Sequence, residues 1–583
     1  MKNLYRIITI ILTTILFAGC YDLDRYPQGQ LSSGTFWQDD EDAKQGIIAC
    51  YAALKLNYVF GLSFGTDCIS DIASGYDEVG HWDISRSVWA TTSAYPTQRW
   101  QHSYEAIRRV NTAISYIQNS KGVTEDTKKR TIGEAKFIRA LLYFHLINHF
   151  GDVPIFDENV DYNKDYANLT MPRESVDKVR SFIINDLTDA INRLPVRWET
   201  PDYGRATLGA AYALRGKVYL YNKQYDLASK DFEEIVLDKS GKGYKYSLNP
   251  SYAELFTQKA DASDEMIFTL QNYTAIDFNY GMPFAHYIGN NATFGFGWNN
   301  IMPSVELVDS YELKDGKPFN WNDFIQGYNE DISIRKEVFM STLTKDYTKV
   351  ATYPKYHNEL LGMYEQRDPR MKQTIILPYT TYKGYIGTDV VNCEFVYAKG
   401  ISTANNFVAV NRYGNENTLM YLFRKFIPEG DMDGQLVSKS DRDHTPINFP
   451  LIRYADVLLM LAECYNEQND IDNAVKYINE VRQRPSTNMP RINSGPTWLE
   501  ARTKTDVHTR IMHERAVELA LEGLRYYDIK RWGTIKTIQN KPEIDILGSS
   551  IYQNKYEDKD ALWPIPSTAI DRNPNLKPNN PGW

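Results

Sequence analysis

The chain is 583 residues long with a net charge of -9, and these two values limit its architecture and its partners. A chain of this length exceeds what one hydrophobic core usually organises, so we expect a large body of more than one part. Aromatic residues make up 13% of the chain while basic clusters are scarce, so nucleic acid is not expected as a partner, because phosphate binding depends on clustered Lys and Arg.

The N-terminus has the pattern of an export signal. Two basic residues precede an apolar run over 7–16 that is too short to cross a bilayer as a helix. The run is followed by the letters FAGC, which resemble a bacterial lipobox except that Phe17 replaces the usual Leu. We therefore predict a lipoprotein signal peptide over 1–20, lipidation of Cys20 and a short polar tether over 21–30, with an ordinary secretory signal as the alternative. Membrane attachment would then come through the lipid, because no later stretch has about 20 uninterrupted apolar residues.

The other four cysteines do not indicate a metal site or a disulfide framework. They stand at positions 50, 68, 393 and 464, with no CxxC pair and no zinc-type spacing to His. Cys50 and Cys464 lie in apolar helical surroundings, where a buried free thiol is expected. Neither a metal nor a cofactor is predicted.

Helical periodicity dominates both ends of the chain. Amphipathic helices are predicted over four segments: 40–57, 99–118, 124–149 and 173–194. Two further stretches, 207–236 and 454–481, carry Tyr, small and apolar residues at the offsets of a tetratricopeptide helix pair. The predicted fold is mostly α, a tetratricopeptide-like helical-repeat scaffold with an N-terminal block over 31–239 and a C-terminal block over 450–583.

The region 240–449 differs from both blocks in composition. It is rich in Gly, Asn, Pro and Tyr and contains short β-prone runs, while helical periodicity largely disappears. We predict a large, loop-rich and partly β insert. Loops held by a rigid scaffold are where binding residues concentrate, so much of the ligand site is expected here.

The stretch 511–533 concentrates charge and aromatic rings. Its apolar residues repeat at helical spacing, and the charged residues on the remaining surface include Glu514, Arg515, Glu518, Glu522 and Arg525. The sequence predicts one amphipathic helix with surface ion pairs three residues apart. Its carboxylates are interpreted as structural rather than as the acid and base of a glycosidase.

Enzyme signatures are weak. The letters GLSFG over 61–65 match a GxSxG pattern, but the segment before them is predicted to be helical, and a nucleophile elbow requires a strand there. His513 is followed by Glu514 but not by the second His of a zinc protease motif. No catalytic residue is predicted.

Six ordered sequence blocks resemble the SusD/RagB family over nearly the whole chain. They are the N-terminal lipobox with YDLDRYPQG, WQHSYEAIRRVN from 100, GEAKFIRALLYFHLINHFGDVPI from 133, PLIRYADVLLMLAECYNE from 450, ERAVELALEGLRYYDIKRWG from 514, and LWPIPSTAIDRNPNLKPNNPGW at the end. The resemblance implies a lipoprotein facing the exterior of the outer membrane. It implies capture of oligosaccharide or polysaccharide, or of peptides in a minority of members, for a SusC-like TonB-dependent transporter.

The resemblance also implies a ligand site built from aromatic residues of the insert and of the segment before the first long helices. Three tryptophans in those regions have Asp or Asn neighbours: Trp82, Trp298 and Trp321. A flat ring covers the apolar face of a sugar, and an adjacent carboxylate or amide binds its hydroxyls. The polar candidates are Asp83, Asn299, Asn300, Asn320, Asn322 and Asp323, and weaker candidates, chosen by neighbourhood alone, are Asp67, Trp89 and Tyr280.

Three functions are therefore carried forward. The first is a non-catalytic glycan-binding lipoprotein that delivers its ligand to the transporter. The second is a peptide-binding lid of a peptide importer, and the third, which the sequence favours least, is a glycoside hydrolase.

Overall fold

The computed structural model describes residues 36–160, 169–200, 202–275, 278–398, 407–409 and 419–583. The predicted signal peptide, the lipidation site Cys20 and the tether lie outside these residues and stay predictions.

The described residues form a mostly helical molecule with small sheets, which confirms the predicted fold class. The helices are α1 (Asp40–Leu54), α2 (Trp82–Ser85), α3 (Ala94–Asn119), α4 (Glu125–Phe150), α5 (Val176–Arg193), α6 (Leu208–Tyr221), α7 (Tyr225–Leu237), α8 (Phe284–Tyr287), α9 (Val305–Ser310), α10 (Ile332–Phe339), α11 (His357–Tyr364), α12 (Pro369–Thr374), α13 (Tyr454–Glu467), α14 (Ile471–Arg482), α15 (Lys504–Glu518), α16 (Arg525–Arg531), α17 (Ile535–Gln539) and α18 (Ser567–Arg572). None of the described helices is both long and apolar enough to cross a membrane.

The long helices of the N-terminal part begin where side chains can cap them. Asp39 accepts hydrogen bonds from two N–H groups at the start of α1, and Thr124 and Ser175 each accept one at the start of α4 and α5. The four predicted helices are present, with ends that differ from the prediction by five residues or fewer.

The two predicted helix pairs are α6 with α7 and α13 with α14. Close approach requires Gly216 in the first pair, because a Cβ there would lie 2.6 Å from the Phe232 ring. The pairs also meet each other, since Gln468 Nε2 after α13 donates to Ser229 Oγ of α7 at 3.1 Å. The two helical blocks therefore form a continuous scaffold.

The strands are short. They are β1 (Ala73–Gly75), β2 (Met266–Leu270), β3 (Tyr273–Ala275), β4 (Phe278–Tyr280), β5 (Ile301–Pro303), β6 (Thr342–Leu343), β7 (Val350–Thr352), β8 (Ile375–Ile376), β9 (Thr381–Ile386), β10 (Asp389–Val396), β11 (Phe407–Ala409), β12 (Leu422–Phe423), β13 (Phe449–Arg453), β14 (Pro542–Ile544) and β15 (Ser550–Gln553). The described sheets have the orders β1-β5, β11-β10-β9, β12-β8, β13-β2, β14-β15, β3-β4 and β6-β7. Antiparallel pairing of β13 with β2 joins the two ends of the predicted insert.

The predicted insert also contains the short helices α8 to α12, which periodicity did not indicate. Helices of four to eight residues are too short to show an amphipathic period. The block boundaries at 239/240 and 449/450 stay predictions.

The stretch 511–533 differs from the prediction of one helix with a charged solvent face. α15 ends at Glu518, Leu521 and Gly523 have left-handed backbone angles (φ 66° and 71°), and α16 begins at Arg525. Left-handed residues end an α-helix. The charged residues of the stretch are buried, so the predicted surface ion pairs are wrong.

Glu518 lies at the centre of a buried ion network. Its carboxylate is 2.9 Å from Arg370, 2.9 Å from Arg453 and 2.7 Å from Arg484. Six carboxylates and six cations make up the network: Glu265, Glu312, Asp368, Glu514, Glu518 and Glu522, with Arg370, Lys425, Arg453, Arg482, Arg484 and Arg510. Burial alone would raise the pKa of Glu518, but its three arginines hold it well below the usual range. The predicted structural role of these carboxylates is consistent with this arrangement.

We predict that Glu518→Gln lowers the free energy of unfolding by about 3–5 kcal/mol, because it leaves buried guanidinium groups without their counter-charge. Urea unfolding followed by circular dichroism measures the loss. The control is Glu337→Gln, which breaks a half-exposed ion pair with Lys355 and should cause no measurable loss. Equal stability of the two variants would contradict the central role of the network.

Candidate binding surface

Two segments that are far apart in the sequence meet at one edge of the molecule. β1 pairs with β5, so that Gly75 is opposite Ile301. Directly beyond the pair, Asn300 Nδ2 donates to the Tyr76 hydroxyl at 3.1 Å and also to the Asp77 carboxylate. The loops that carry Trp82 and Trp298 are therefore neighbours. The sequence candidate Asn300 is fully buried and joins them.

Exposed or half-buried aromatic rings occur on the two segments joined here and on the hairpin of β3 and β4. The exposed fraction is 61% for Tyr273, 52% for Tyr280, 55% for Phe296 and 45% for Trp298, and Trp82 and Tyr287 are half-buried. These six residues are named the aromatic face. Large rings are normally buried, so a cluster of exposed ones indicates an interaction surface.

A hairpin brings two tyrosines to the aromatic face. Tyr273 on β3 is directly opposite Tyr280 on β4. The Lys55 ammonium at the end of α1 donates to the Tyr280 carbonyl and lies 5.3 Å from its ring centroid. The hairpin is also tied to the segment that supports Trp298. Thr274 Oγ1 donates to the carbonyl of His444, and the preceding residue, Asp443, is hydrogen-bonded to His286. Tyr280, a weak candidate in the sequence, is thus on the surface.

Trp82 lies at the rim of a cleft of about 300 Å³. The Arg86 guanidinium lies 4.0 Å from the centroid of its ring, and Tyr552 meets the ring at 4.5 Å and 63°. Asp83 beside it is exposed and lies 3.4 Å from Arg86. The cleft is also lined by Asp77, Glu78, His81 and Tyr95. The Trp82 ring and the carboxylates of Asp77, Glu78 and Asp83 therefore line the same cleft.

Tyr58 and Tyr287 add polar edges to this region. The Tyr58 hydroxyl donates to Glu78 Oε1 at 2.7 Å. Burial and the neighbouring carboxylates of Asp443 and Asp77 raise the pKa of Tyr287, so it remains a neutral phenol. A neutral phenol both donates and accepts hydrogen bonds.

Trp321 is not part of this surface, contrary to the sequence prediction. Its exposed fraction is 4%, its ring stacks on Tyr328 at 4.2 Å, and Phe339 meets it edge-on at 5.7 Å. Its Nε1 donates to Asp309 Oδ1 at 3.1 Å. With its ring covered and its donor bonded, Trp321 is a local core residue.

The polar neighbours of Trp321 stabilise the same turn. Asn320 Oδ1 accepts from the Asn322 N–H at 3.0 Å and from Asn329 Nδ2 at 2.9 Å, and Asn322 Nδ2 donates to Glu330 at 2.8 Å. Asp323 pairs with Lys317 at 2.6 Å. The asparagines beside this tryptophan therefore cap and tie a loop, so we withdraw all three polar candidates from the site.

Two of the weaker candidates are buried. Trp89 donates to Asp560 Oδ1 at 2.7 Å and packs edge-on against Trp563 and Trp583. Asp67 accepts the backbone N–H groups of Gly523 at 3.1 Å and Arg525 at 3.0 Å. Both side chains hold the scaffold together, and Trp89, although only 4% exposed, is among the residues that line the Trp82 cleft.

Sequence reasoning missed Tyr273, Tyr287 and Phe296. Tyr273 and Tyr280 lie at the two ends of one hairpin, which a pattern of two β-prone runs around a short turn could have indicated. Phe296 stands in a glycine-flanked triplet next to Trp298. No local pattern distinguishes Tyr287 from the many buried tyrosines.

Comparisons with known proteins agree with this architecture. The family model described as SusD family matches residues 264–583, more than half of the chain, and a model described as starch-binding and associating with the outer membrane matches 45–220. A SusD-like protein of Formosa agariphila is 24% identical over 98% of both chains. The starch-binding protein SusD of Bacteroides thetaiotaomicron is 24% identical over 80% of this chain and 75% of its own. The structure of a SusD-like carbohydrate binding protein from Bacteroides fragilis is 25% identical, with a TM-score of 0.71 over 93% of this chain and 100% of its own.

We predict losses of stability of very different size for two tryptophans that look alike in the sequence. Trp321→Ala should lower the free energy of unfolding by about 3–5 kcal/mol, because it empties a buried site. Trp298→Ala removes a ring that is 45% exposed and should cost far less. Urea unfolding measures the free energy of unfolding of both variants. A larger loss for Trp298→Ala than for Trp321→Ala would contradict the prediction.

We predict that Asp67 makes stability depend on pH. Burial raises its pKa to about 7, although its two backbone donors oppose the shift, whereas an unfolded Asp titrates near pH ~4. The folded chain therefore binds more protons between these values, and this contribution to stability is present below pH ~4 and is lost as pH rises through about 7.

Asp67→Asn tests this, because an amide does not titrate. The difference in unfolding free energy between wild type and variant should decrease from pH ~4 to pH ~8. Asp83→Asn, at an exposed carboxylate, is the control. Parallel stability curves for wild type and Asp67→Asn would contradict the prediction.

Proposed function

The chain belongs to the SusD family, and on that premise we propose that it is a cell-surface protein that binds oligosaccharide or polysaccharide on the aromatic face. It performs no chemistry on the ligand. It is anchored to the outer membrane by a lipid on Cys20 and passes the glycan to a SusC-like TonB-dependent transporter.

The arrangement of the aromatic face is the observation that carries this proposal. Trp82 and Trp298 present indoles on adjacent loops, and Asp83 and Asn299 follow them directly in the chain. A sugar has an apolar face of C–H groups and a rim of hydroxyls, so it matches flat rings flanked by carboxylates and amides. An open surface of several rings suits a polymer better than a small molecule, which would be enclosed in a pocket.

Known relatives support the class of ligand and the location. The relative from Bacteroides thetaiotaomicron is described as starch-binding, and the solved structure from Bacteroides fragilis as carbohydrate binding. The model matched by residues 45–220 is described as associating with the outer membrane. These descriptions agree with the lipobox of the sequence, and the transporter partner follows from the family resemblance alone.

The absence of catalysis is supported by the state of the candidate groups. Ser63 of the GxSxG pattern is buried and donates to the Phe60 carbonyl at 2.8 Å, with a helical turn before it instead of a strand. Glu514, Glu518 and Glu522 are bound to buried cations. A glycosidase needs one protonated and one ionised carboxyl facing the substrate, which these groups do not supply.

A peptide-binding lid remains the second candidate. Aromatic rings with polar edges also bind peptides, as they do at many protein interfaces. The carboxylates of Asp77, Glu78 and Asp83 around the Trp82 cleft would favour a basic peptide.

We predict that Trp82→Ala and Trp298→Ala each weaken glycan binding about tenfold, the loss expected when one stacking ring is removed. Affinity electrophoresis against a panel of neutral polysaccharides, including starch and laminarin, measures the effect. Trp498→Ala is a matched control, because Trp498 is 37% exposed but lies in the C-terminal part, where its Nε1 donates to the Asp315 carbonyl.

The same purified protein separates the alternatives. Unchanged mobility of both aromatic-face variants on a polysaccharide that retards wild type would refute the site. Co-purifying peptides together with indifference to every glycan would favour the peptide lid. Release of reducing ends from the panel would reveal a hydrolase.

A further inference from the structure

The loop that carries Trp298, residues 295–299, has left-handed backbone angles at three residues, and one of them, Phe296, does not favour such angles. φ is 73° at Gly295, 71° at Phe296 and 49° at Asn299. The left-handed region is disfavoured for residues with a side chain, and strongly so for a bulky one such as Phe. The loop therefore keeps this shape only if its surroundings hold it.

One side of the loop is held through its N–H groups. Three consecutive donors bond to the chain over 286–290: Gly297 to the Asn290 carbonyl at 2.9 Å, Trp298 to that of His286 at 2.7 Å, and Asn299 to that of Gly289 at 2.8 Å. These bonds fix the backbone on the side of α8. They do not involve the carbonyl groups of Gly295 and Phe296.

Arg442 binds those carbonyl groups. Its Nη1 donates to the Phe296 oxygen at 2.8 Å and to the Gly295 oxygen at 3.2 Å. The contact is close, because a Cβ on Gly295 would lie 2.6 Å from the Lys439 carbonyl and 2.8 Å from the Arg442 Cβ. The short 3₁₀ helix over Lys439–Asp443 thus supports the loop from the other side.

The same arginine covers one face of the indole. Its guanidinium carbon lies 5.3 Å from the centroid of Trp298. The His286 ring meets the indole at 4.3 Å and 89°, His286 Nδ1 is hydrogen-bonded to Asp443 Oδ1, and Asp443 Oδ2 lies 4.0 Å from Arg442 Nε. The four side chains form a closed ring of contacts, named the Trp298 clamp.

We propose that Arg442 is the positioning residue of the binding surface. It does not touch the ligand. It fixes the loop by two carbonyl hydrogen bonds and occupies one face of the Trp298 indole, so that a ligand stacks only on the opposite face. The proposal rests on the proposed function for the identity of the ligand, whereas the Trp298 clamp is a property of the free protein.

The free protein tests the clamp without any ligand. Purified protein labelled with 5-fluorotryptophan gives one fluorine NMR signal per tryptophan, and loss of a signal in Trp298→Phe assigns that residue. In wild type the Trp298 signal should be narrow. Arg442→Ala should shift and broaden it, and Arg442→Lys, which keeps the charge but loses the planar group with its several donors, should do so in part.

Binding to laminarin and starch tests the functional consequence. Arg442→Ala should weaken binding about fivefold to tenfold, because the ring must be ordered when the ligand binds. In a Phe296→Ala/Trp298→Ala background the same change should have no further effect, since Arg442 acts through the loop and its two rings. Arg424→Ala is the control: Arg424 is an arginine of the same region that pairs with Glu429 and contacts no ring of the aromatic face.

Each outcome decides one point. An unchanged Trp298 signal in Arg442→Ala overturns the clamp. Weaker binding of Arg442→Ala in the Phe296→Ala/Trp298→Ala background shows that Arg442 contacts the ligand itself and overturns the positioning role. If wild type binds no polysaccharide, the proposed function fails while the NMR result still decides the clamp.

Thermal unfolding of each variant confirms that a loss of binding is not a loss of folding, and Arg442→Lys replaces Arg442→Ala if the latter does not fold.

Discussion

The fold depends on the neutralisation of one buried carboxylate, that of Glu518. An ionised carboxylate is stable in the protein interior only when it is paired and hydrogen-bonded. Arg370, Arg453 and Arg484 provide this from three different parts of the chain. Apolar residues pack in many arrangements, but a guanidinium must face its own carboxylate. The network therefore specifies how the insert and the C-terminal helices fit together.

This constraint reaches the aromatic face through a short series of contacts. Beyond Glu518 the chain turns at Gly523, whose N–H group and that of Arg525 bind the Asp67 carboxylate. The Arg525 guanidinium also pairs with Asp71 at 2.7 Å, two residues before β1. β1 pairs with β5, and Asn300 then joins the two loops of the surface. The ends of the chain and the insert are thus connected at the place where the ligand is proposed to bind.

The local patterns of the sequence predicted the helices well, because an amphipathic period or a capping residue acts within one turn. These local patterns did not predict the surroundings of residues whose partners are distant in the sequence. The charges of α15 look solvent-exposed in isolation, and distant partners such as Arg370 and Arg453 explain why they are buried. Trp298 and Trp321 are both followed by an asparagine, yet packing against Phe339 buries one of them, Trp321. Aromatic residues with polar neighbours indicated a site but could not separate a ligand platform from a core anchor.

Different parts of the molecule control the two indoles of the surface. The orientation of Trp298 is set within the insert, by the chain over 286–290 and by Arg442. The position of Trp82 is set by the N-terminal segment and by Tyr552 of the C-terminal part. The distance between the rings is therefore fixed where these parts join, at β1 and β5 and through Asn300. In the proposed function the ring spacing must match the repeat of a sugar polymer, so we expect the choice among glycans to depend on this junction as much as on the rings themselves.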